Sequence, residues 1–363
     1  MTSPNIAAAD LRGMLEDGRP VTVLDIRRPD EREWTIPGSL AVDAYDAVNS
    51  GELGALAKVE FDVQPVVTVC GAGRAASRAT ELLRAKGIDA LTLEGGMRAW
   101  SLAWNTAETT VRDCEVVQVR RTGKGCLSYV VAANDIALVI DASVEPEVYV
   151  ELLKSRGWTL SAVVDTHIHA DHLSRSRRLA ALTGAQHYLP TQERVRFPFR
   201  RLADGDRIAI GNAELVAWRT PGHSRESTTF VLHRLAAFTG DTLFLNGVGR
   251  PDLQGGQAAA ASHARSLHES IQRLLGLRPG VLVLPGHSSA AIPFDGEMAS
   301  STIGAIRAMP LMQLPESEFV SAITMNLPPQ PANHVQIVVA NELGQWPDNA
   351  TDLEAGANRC AAG

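Results

Sequence analysis

The sequence has no long apolar runs, no closely paired cysteines and no excess of positive charge. Its apolar stretches, such as residues 281–284, have the length of a strand, whereas a transmembrane helix needs roughly 20 apolar residues. The opening residues reach Asp10 and Arg12 without a cationic start and an apolar core, so we expect no secretory signal. Four cysteines without a C-x-x-C pair favour a reducing, cytoplasmic location over a disulfide-stabilised fold.

The overall charge and the chain length narrow the class of protein further. A formal net charge of −7 argues against a nucleic-acid partner and against an anionic membrane surface. The apolar fraction of 45% and the charged fraction of 21% are typical of a globular protein. Because 363 residues exceed one ordinary hydrophobic core, we expect two or more domains.

The first hundred residues alternate predicted strands with predicted helices. The strands are predicted at residues 21–24, 66–69 and 90–93, and a helix at residues 74–86. This rhythm predicts a small α/β domain in which helices flank a parallel sheet. We assign this domain to residues 1–105.

A different pattern follows a predicted linker at residues 104–109. Strands are predicted at residues 116–119, 128–131, 137–140, 162–164, 214–218, 229–232, 236–238 and 281–284, and helices at residues 146–156, 174–183 and 259–275. Many strands with few, peripheral helices indicate two packed sheets covered by helices. We assign this second domain to residues 110–363, with a C-terminal extension from about residue 300.

Residues 166–172, THIHADH, concentrate ligand-type side chains at the end of a predicted strand. His167 and His169 are two residues apart, so on an extended segment both point the same way. Asp171 and His172 follow directly. Packing does not explain four such residues in so short a run, whereas histidine and aspartate suit Zn²⁺ or Fe²⁺.

Three more candidate ligands, His223, Asp241 and His287, each follow a glycine near the end of a predicted strand. Glycine lets the backbone turn tightly and present the next side chain. One such turn is weak support for a metal site, but three in this order after the first run are strong support. The other five histidines lack this setting, and we interpret them as ordinary core or surface residues: His187, His233, His263, His268 and His334.

This ordered set of residues resembles the metallo-β-lactamase fold over about residues 113–300. The resemblance implies an αβ/βα sandwich with a metal site at its strand ends. Two branches of that superfamily compete as models for the chain. Glyoxalase II hydrolases hold two metals with all seven ligands and hydrolyse a glutathione thioester, whereas persulfide dioxygenases hold one Fe²⁺ with three of them.

Several local segments resemble the dioxygenase branch. Residues 173–175 read LSR where glyoxalase II usually has a glycine pair. Residues 220–228, TPGHSREST, and residues 238–252, which contain FTGDTL and GVGRPD, resemble the dioxygenase pattern. The tail MNLPPQP at residues 325–331 resembles dioxygenase tails, and its prolines interrupt any long helix, unlike the helical C-terminal domain of glyoxalase II.

The resemblance implies roles for these residues. The ligands of one Fe(II) per chain would be His167, His223 and Asp241, a facial triad that leaves positions open for substrate and O₂. The residues that orient these ligands, or bind a second metal, would be His169, Asp171, His172 and His287. Arg250 would hold a carboxylate of glutathione. Zinc or a dinuclear site remains the alternative, because all seven ligand residues are present.

The segment CGAGRAAS, residues 70–77, lies between a predicted strand and a predicted helix. Backbone amides at such a helix start favour an anion, such as a thiolate or a persulfide on Cys70. The alternative is a buried, inert cysteine. We interpret Cys114, Cys126 and Cys360 as structural, because they lack this setting.

The sequence around the Cys70 loop resembles a rhodanese domain over residues 1–104. Asp25-Ile26-Arg27, Glu33 and IPGS at residues 36–39 are similar to the first half of that family, and LEGGMRAW at residues 93–100 to its closing signature. The resemblance implies that Cys70 is a catalytic residue that carries sulfane sulfur. The loop departs from the family at its fifth to seventh positions, and no histidine precedes Ile36; the sulfur donor therefore stays open.

Together, the two resemblances predict a cytoplasmic persulfide dioxygenase with thiosulfate sulfurtransferase activity. Its partners would be glutathione persulfide, O₂, glutathione, and thiosulfate or sulfite, and the family suggests a homodimer. The first alternative is a dinuclear glyoxalase II-like hydrolase. The second is a non-enzymatic sulfur-relay or sensing module, in which Cys70 passes persulfide to a partner and the metal is structural.

Overall fold

The computed structural model describes residues 4–325, 327, 329–331, 333–356 and 358–362. The tail used to favour the dioxygenase branch includes Asn326 and Pro328, and these two lie outside the described residues. Within the described residues, every helix is too short or too polar to cross a lipid bilayer.

The N-terminal part forms a five-stranded, all-parallel sheet in the order β1-β5-β4-β2-β3. Its strands are β1 (Asn5–Ile6), β2 (Thr22–Asp25), β3 (Leu40–Ala41), β4 (Val66–Val69) and β5 (Ala90–Leu93). Its helices are α1 (Ala8–Glu16), α2 (Tyr45–Asn49), α3 (Arg74–Ala85) and α4 (Gly96–Trp100), with 3₁₀ turns at Pro29–Glu31 and Gly54–Lys58. Strand β4 is buried along its whole length, as expected for an inner parallel strand. The predicted parallel sheet flanked by helices is confirmed.

Two larger sheets form the rest of the fold. The first sheet contains β6 (Asn105–Val111), β7 (Cys114–Arg121), β8 (Cys126–Ala133), β9 (Ile136–Ile140), β10 (Thr159–Val164), β11 (Gln186–Pro190) and β12 (Arg200–Leu202) in sequential order. The second contains β13 (Arg207–Ile210), β14 (Ala213–Arg219), β15 (Thr228–Leu232), β16 (Ala236–Gly240), β18 (Leu282–Pro285) and β19 (Ser301–Thr302). A short ribbon pairs β17 (Val248–Gly249) with β20 (Ala361–Ala362).

Helices cover the outer face of each sheet. They are α5 (Pro146–Arg156), α6 (Ser176–Thr183), α7 (Gly256–Leu275), α8 (Ile303–Arg307), α9 (Glu316–Thr324), α10 (His334–Leu343) and α11 (Ala350–Leu353), with a 3₁₀ turn at Pro310–Gln313. Helices α5 and α6 pack on the first sheet, and α7, α8 and α9 pack on the second. Between the sheets lies a shared core, in which Tyr129 meets Phe238 edge-on at 4.9 Å between ring centroids. The predicted αβ/βα sandwich is confirmed.

The predicted linker at residues 104–109 is wrong, because strand β6 occupies most of it. This strand pairs antiparallel with β7 along its whole length. Asn105, Ala107 and Val111 are buried, whereas Glu108 between them is exposed. Such alternation suits a strand with one solvated face, so the polar residues that suggested a linker belong to the edge of the sheet. The division of the chain at residues 105–110 stays a prediction.

The two domains meet through the turn between β7 and β8. The Trp34 indole N–H of the first domain donates to the Thr122 carbonyl at 2.9 Å. Gly123 N–H donates to the Ala103 carbonyl at 3.1 Å. A Cβ at Gly123 would lie only 1.9 Å from the Trp100 carbonyl oxygen, so only glycine allows this approach.

Glu354, just after α11, anchors the C-terminal tail beneath this junction. Its buried carboxylate accepts from Arg121 and from Arg175, each with an Nη2–Oε2 distance of 2.9 Å, and from the Leu173 N–H at 2.6 Å. Arg121 also donates to the Ser101 carbonyl of the first domain at 2.8 Å. Burial disfavours the carboxylate, yet the two guanidinium groups outweigh burial and hold the pKa of Glu354 well below its usual range.

We expect Glu354→Ala to destabilise the fold strongly, because it leaves two buried guanidinium groups without their counter-ion. Breaking a buried ion pair in this way costs about 3–5 kcal/mol. Urea unfolding followed by circular dichroism measures the loss. Glu193→Ala, which removes an exposed carboxylate paired with Arg201, is the matched control and should change little. An equal, small effect of both substitutions would contradict this role for Glu354.

Candidate metal centre and cysteine loop

The structure brings all seven predicted ligand residues into one buried cluster at the strand ends of the sandwich. The run at 166–172 follows β10, and the other three residues follow β14, β16 and β18. Each of the seven is at most 5% exposed: His167, His169, Asp171, His172, His223, Asp241 and His287. The cluster is therefore shielded from bulk water. In such a buried site, imidazoles and carboxylates interact strongly with one another and with an ion.

The glycines before Asp241 and His287 allow the tight backbone turns that present these side chains, as predicted. Gly240 has a φ of 49°, in the left-handed region, and turns the chain so that Asp241 faces the cluster. At Gly286 the constraint is space, because a Cβ there would lie 2.6 Å from Asp241 Oδ1. Both positions require glycine so that the two loops can approach each other.

Three of the seven residues, His167, His223 and Asp241, converge on one point. Asp241 Oδ2 lies 3.8 Å from His167 Nε2 and 3.6 Å from His223 Nε2. Two atoms that are each about 2.1 Å from one ion can be at most about 4.2 Å apart, so both distances fit a shared ion. Among the described residues, His167 Nε2 and Asp241 Oδ2 have no hydrogen-bond partner. These buried, unpartnered atoms fit a metal site.

The other nitrogen of each triad imidazole is held by a neighbour. Thr166 Oγ1 lies 2.9 Å from His167 Nδ1, and the Arg250 carbonyl oxygen lies 3.0 Å from His223 Nδ1. A hydrogen bond to the carbonyl places the proton of His223 on Nδ1 and leaves the Nε2 lone pair for a metal. The backbone of Arg250 therefore orients a candidate ligand, a role that sequence reasoning missed.

The charge states of the triad suit metal binding. Burial, together with the nearby His169, lowers the pKa of His167 well below its usual value. Burial likewise lowers the pKa of His223. Burial opposes ionisation of Asp241, but the charge of His287 outweighs it, so the pKa of Asp241 lies well below its usual value. Two neutral imidazoles and one carboxylate are the forms that bind a divalent cation.

Asp171, His172 and His287 form a second group, which is hydrogen-bonded within itself and to Asp241. His287 lies between two carboxylates, with Nδ1 2.6 Å from Asp241 Oδ1 and Nε2 2.9 Å from Asp171 Oδ2. His172 Nδ1 lies 3.1 Å from both oxygens of Asp171. Their ligand atoms, together with Cys126 Sγ, lie within 4.8 Å of one another, and His172 Nε2 has no hydrogen-bond partner among the described residues, so this group could also hold an ion.

His169 contacts carboxylates outside the triad through its Nε2, and its Nδ1 has no hydrogen-bond partner among the described residues. Its Nε2 lies 3.2 Å from Asp141 Oδ1 and 3.9 Å from Asp165 Oδ1. Asp141 in turn accepts from the Thr166 N–H at 2.6 Å and from Thr166 Oγ1 at 2.8 Å. A chain of contacts therefore runs from His169 through Asp141 and Thr166 to His167.

Sequence reasoning missed Asp141, although a signal for it exists. It directly follows β9, which lies parallel to β10, so the two strands end at the same edge of the sheet. Asp141 also has a φ of 54°, which is uncommon for a residue other than glycine. A polar residue at the end of a neighbouring parallel strand is the pattern that would have identified it.

Two cysteines interpreted as structural also lie at the cluster. Cys126 Sγ is 3.3 Å from Asp171 Oδ2, and Asn358 Nδ2 donates to the same oxygen at 3.1 Å. Cys360 groups with Asp241 and His287 within 4.8 Å. These residues come from the start of β8 and from the tail, far from the metal run in sequence, so no local pattern indicated them.

Arg250 is deeply buried beside the cluster, and its guanidinium faces groups of its own chain. It donates to Asp252 at 2.7 and 3.0 Å, and to the carbonyls of Pro329 and Arg359 at 3.3 and 3.2 Å. A carboxylate of glutathione would have to displace part of this network. The expected contact with glutathione stays a prediction.

Cys70 lies between β4 and α3, as predicted, and is 3% exposed. Its Sγ accepts from the Ala76 N–H at 3.3 Å. The closing segment holds the loop, because Met97 N–H donates to the Cys70 carbonyl at 2.9 Å and Arg98 N–H to the Gly71 carbonyl at 3.1 Å. The loop therefore places the sulfur against the Ala76 amide in the first turn of α3, where an anion is favoured.

Comparison with known families defines the class of the protein. The metallo-β-lactamase superfamily matches residues 121–287, and the rhodanese-like domain matches residues 7–103. The chain belongs to the metallo-β-lactamase superfamily and carries a rhodanese-like domain on its N-terminal side. Both resemblances inferred from the sequence are thereby confirmed.

Individual relatives narrow the class. The chain is 35% identical to the mitochondrial persulfide dioxygenase ETHE1 of Bos taurus over 182 residues. These residues make up 49% of this chain and 67% of that protein. It is 32% identical over 179 residues to a hydroxyacylglutathione hydrolase of Brucella anthropi, 46% of this chain and 66% of that protein. The crystal structure of ETHE1 from Myxococcus xanthus superposes with a TM-score of 0.54 at 25% identity, over 67% of this chain and 100% of that one.

We expect Asp141→Asn to weaken metal binding about 10- to 100-fold, the usual effect of losing a group that orients a ligand. The amide nitrogen cannot accept from Thr166 Oγ1, so His167 loses its support. Titration of the metal-free protein with Fe²⁺ under anaerobic conditions measures the affinity. Asp135→Asn makes the same change at an exposed turn and should bind metal normally. Equal affinities for the two variants would contradict the proposed support.

Proposed function

We propose that the chain is a persulfide dioxygenase that oxidises glutathione persulfide with O₂, at one Fe²⁺ held by His167, His223 and Asp241. The overall reaction consumes one glutathione persulfide, one O₂ and one water, and yields glutathione, sulfite and two protons. The convergence of these three side chains, with unpartnered buried atoms on His167 and Asp241, is the observation that carries the proposal. Two histidines and one carboxylate on one side of an ion are typical of non-haem Fe(II) oxygenases.

The ligand geometry favours this reaction over hydrolysis at two metals. The dinuclear alternative uses all seven residues as ligands, including His169, Asp171, His172 and His287. Here His169 bonds to Asp141, and His287 joins two carboxylates directly. These contacts occupy both ring nitrogens of His287 and one nitrogen each of His169 and His172. The other nitrogens of His169 and His172 have no partner among the described residues.

The surroundings of the triad suit a persulfide anion and exclude water. A bound Fe²⁺ supplies open coordination positions and a redox-active centre for persulfide and O₂. The triad offsets only one of the two charges of that ion, so the centre still attracts an anion. One cavity beside His223 is lined by Val335, Val338 and Val339 of α10, and another reaches His167. The three triad residues are each at most 2% exposed, which limits access of water to the metal site.

Cys70 supplies the second activity of the proposal, a thiosulfate sulfurtransferase. The Ala76 amide in the first turn of α3 stabilises an anionic sulfur on Cys70, and the rhodanese-like match supports that role. The relative named as a persulfide dioxygenase supports a persulfide substrate, and the relative named as a hydroxyacylglutathione hydrolase supports a glutathione-linked one. The homodimer and the cytoplasmic location stay predictions.

Oxygen consumption tests the dioxygenase activity. We expect iron-loaded protein to consume O₂ when glutathione persulfide is supplied. His223→Ala should lose this activity together with its metal, whereas Cys70→Ser should retain it, because Cys70 lies in the other domain. The hydrolase alternative predicts the reverse result: no oxygen consumption, but rapid hydrolysis of a glutathione thioester.

Metal content provides an independent test. We expect about one iron per chain in the wild type and almost none in His223→Ala, since a facial triad cannot hold the ion with one imidazole missing. Elemental analysis after anaerobic iron loading and gel filtration measures this. His172→Asn, which retains a polar group beside Asp171, is the control and should keep its iron. Two tightly bound metals per chain would favour the hydrolase.

A further inference from the structure

A thiol, an imidazole and a carboxylate meet at the end of the sandwich opposite the metal centre. They belong to Cys114, His233 and Asp113. Cys114 begins β7, and the other end of that strand pairs with Cys126 at the metal centre. Because β7 has eight residues and a strand rises about 3.3 Å per residue, roughly 20 Å separates the two places. The three side chains therefore form a group distinct from the metal centre.

Two tight turns, one from each sheet, bring these side chains together. Residues 112–113 connect β6 to β7 in the first sheet, and residues 233–235 connect β15 to β16 in the second. His233 has a φ of 50°, which is uncommon for a residue other than glycine, and Arg112 in the other turn has a φ of 61°. An ion bound by this group would therefore join the two sheets at the end that the metal centre does not reach.

The three ligand-type atoms lie at the separations that one tetrahedral ion requires. His233 Nε2 is 3.2 Å from Asp113 Oδ1 and 3.5 Å from Cys114 Sγ, and this sulfur is 3.9 Å from the same carboxylate oxygen. Zinc binds sulfur at about 2.3 Å and nitrogen or oxygen at about 2.0–2.2 Å, so its ligand atoms at tetrahedral angles lie about 3.3–3.6 Å apart. The two separations from the imidazole match this range closely, and the third exceeds it slightly.

Hydrogen bonds alone do not satisfy this arrangement. Cys114 Sγ and Asp113 Oδ1 both face the same ring nitrogen, His233 Nε2. A ring nitrogen has either one proton or one lone pair, so it donates to the carboxylate or accepts from the thiol, but does not do both. Cys114 is completely buried, so its thiol has no water to turn to. An ion between the three atoms binds all of them at once.

The neighbouring groups support an ion and leave a route for its entry. Asn212 Nδ2 donates to Asp113 Oδ2 at 3.0 Å, which orients the carboxylate and leaves Oδ1 for the ion. The Asp113 side chain is 46% exposed and that of His233 is 13% exposed, so an ion and a water ligand reach the group from the solvent side. A thiolate and a carboxylate together offset both charges of a divalent cation.

We propose that Cys114, His233 and Asp113 form a zinc site, completed by a water molecule, that joins the hairpin β6–β7 to the hairpin β15–β16. A thiolate with an imidazole favours Zn²⁺ over Fe²⁺ and over Mg²⁺. The bound ion stabilises the folded chain, because the unfolded chain does not hold the three ligands together. The site is independent of the chemistry at the metal centre.

Cobalt binding tests this site, because a cobalt–thiolate bond has a charge-transfer absorption band that imidazole and carboxylate ligands do not give. The iron-loaded protein, whose metal centre is already occupied, is titrated with Co²⁺ under anaerobic conditions. We expect a thiolate band that is complete at about one Co²⁺ per chain and that Zn²⁺ abolishes, because Zn²⁺ binds such donors more tightly. Absence of the band in the wild type would overturn the proposal.

Substitutions assign the band to these residues. Cys114→Ser should abolish it, and His233→Asn should weaken Co²⁺ binding at least about tenfold, because it removes the imidazole while asparagine tolerates the positive φ. Cys70→Ser and Cys126→Ser remove thiols elsewhere, and as matched controls they should keep the band. A band that survives Cys114→Ser, or that is lost in Cys126→Ser, would contradict the site. If Cys114→Ser does not fold, an unchanged Co²⁺ affinity of His233→Asn contradicts it instead.

Thermal unfolding tests whether the ion joins the two hairpins. Zn²⁺ added to the iron-loaded wild type should raise the midpoint of unfolding, and it should not raise that of Cys114→Ser. An equal rise in both proteins would contradict this role. Elemental analysis of both after zinc loading separates the site from a second ion at the metal centre: zinc that is lost in Cys114→Ser supports the site, whereas zinc retained in full contradicts it.

Discussion

Compensation of buried negative charge determines the structure of the metal centre. Asp141, Asp171 and Asp241 lie at the closed end of an apolar sandwich, where an uncompensated carboxylate costs several kcal/mol. Asp141 is met by a threonine and an imidazole, and Asp171 by two imidazoles, a thiol and an amide. Asp241 has a partner only on Oδ1; its Oδ2 has none among the described residues. That oxygen faces two imidazole edges, and a cation there completes the balance of charge.

Much of the fold and the composition of the site could be predicted from the sequence. Many strand-length apolar runs with few, peripheral helices predicted the sandwich. The seven ligand-type residues were predicted at strand ends, and they lie close together because those ends gather at one edge of the sheets. The sequence does not specify ring orientation. His169 is turned towards Asp141, and His287 is placed between two carboxylates, because of contacts between loops that are distant in the chain.

The wrong linker prediction, and the contacts that sequence reasoning missed, have the same physical origin. Strand β6 was interpreted as a linker because its residues are polar, but an edge strand needs apolar residues on one face only. Cys126 was interpreted as structural because its neighbours in sequence carry no ligand pattern. Its neighbours in space, Asp171 and Asn358, belong to a different loop and to the tail. The tail also folds over Arg250, a set of contacts that no local pattern indicated; the expected contact of Arg250 with glutathione stays a prediction.

The returning tail also has a consequence for the order in which the protein matures. Glu354 binds the junction, Asn358 contacts Asp171, and β20 pairs beside the metal centre. Domains generally fold as units during synthesis, the N-terminal one first. The rhodanese-like domain is therefore able to fold while translation continues, but the metal centre lacks part of its wall until residues 354–362 have been made. Metal can therefore enter the complete site only after nearly the whole chain has been synthesised.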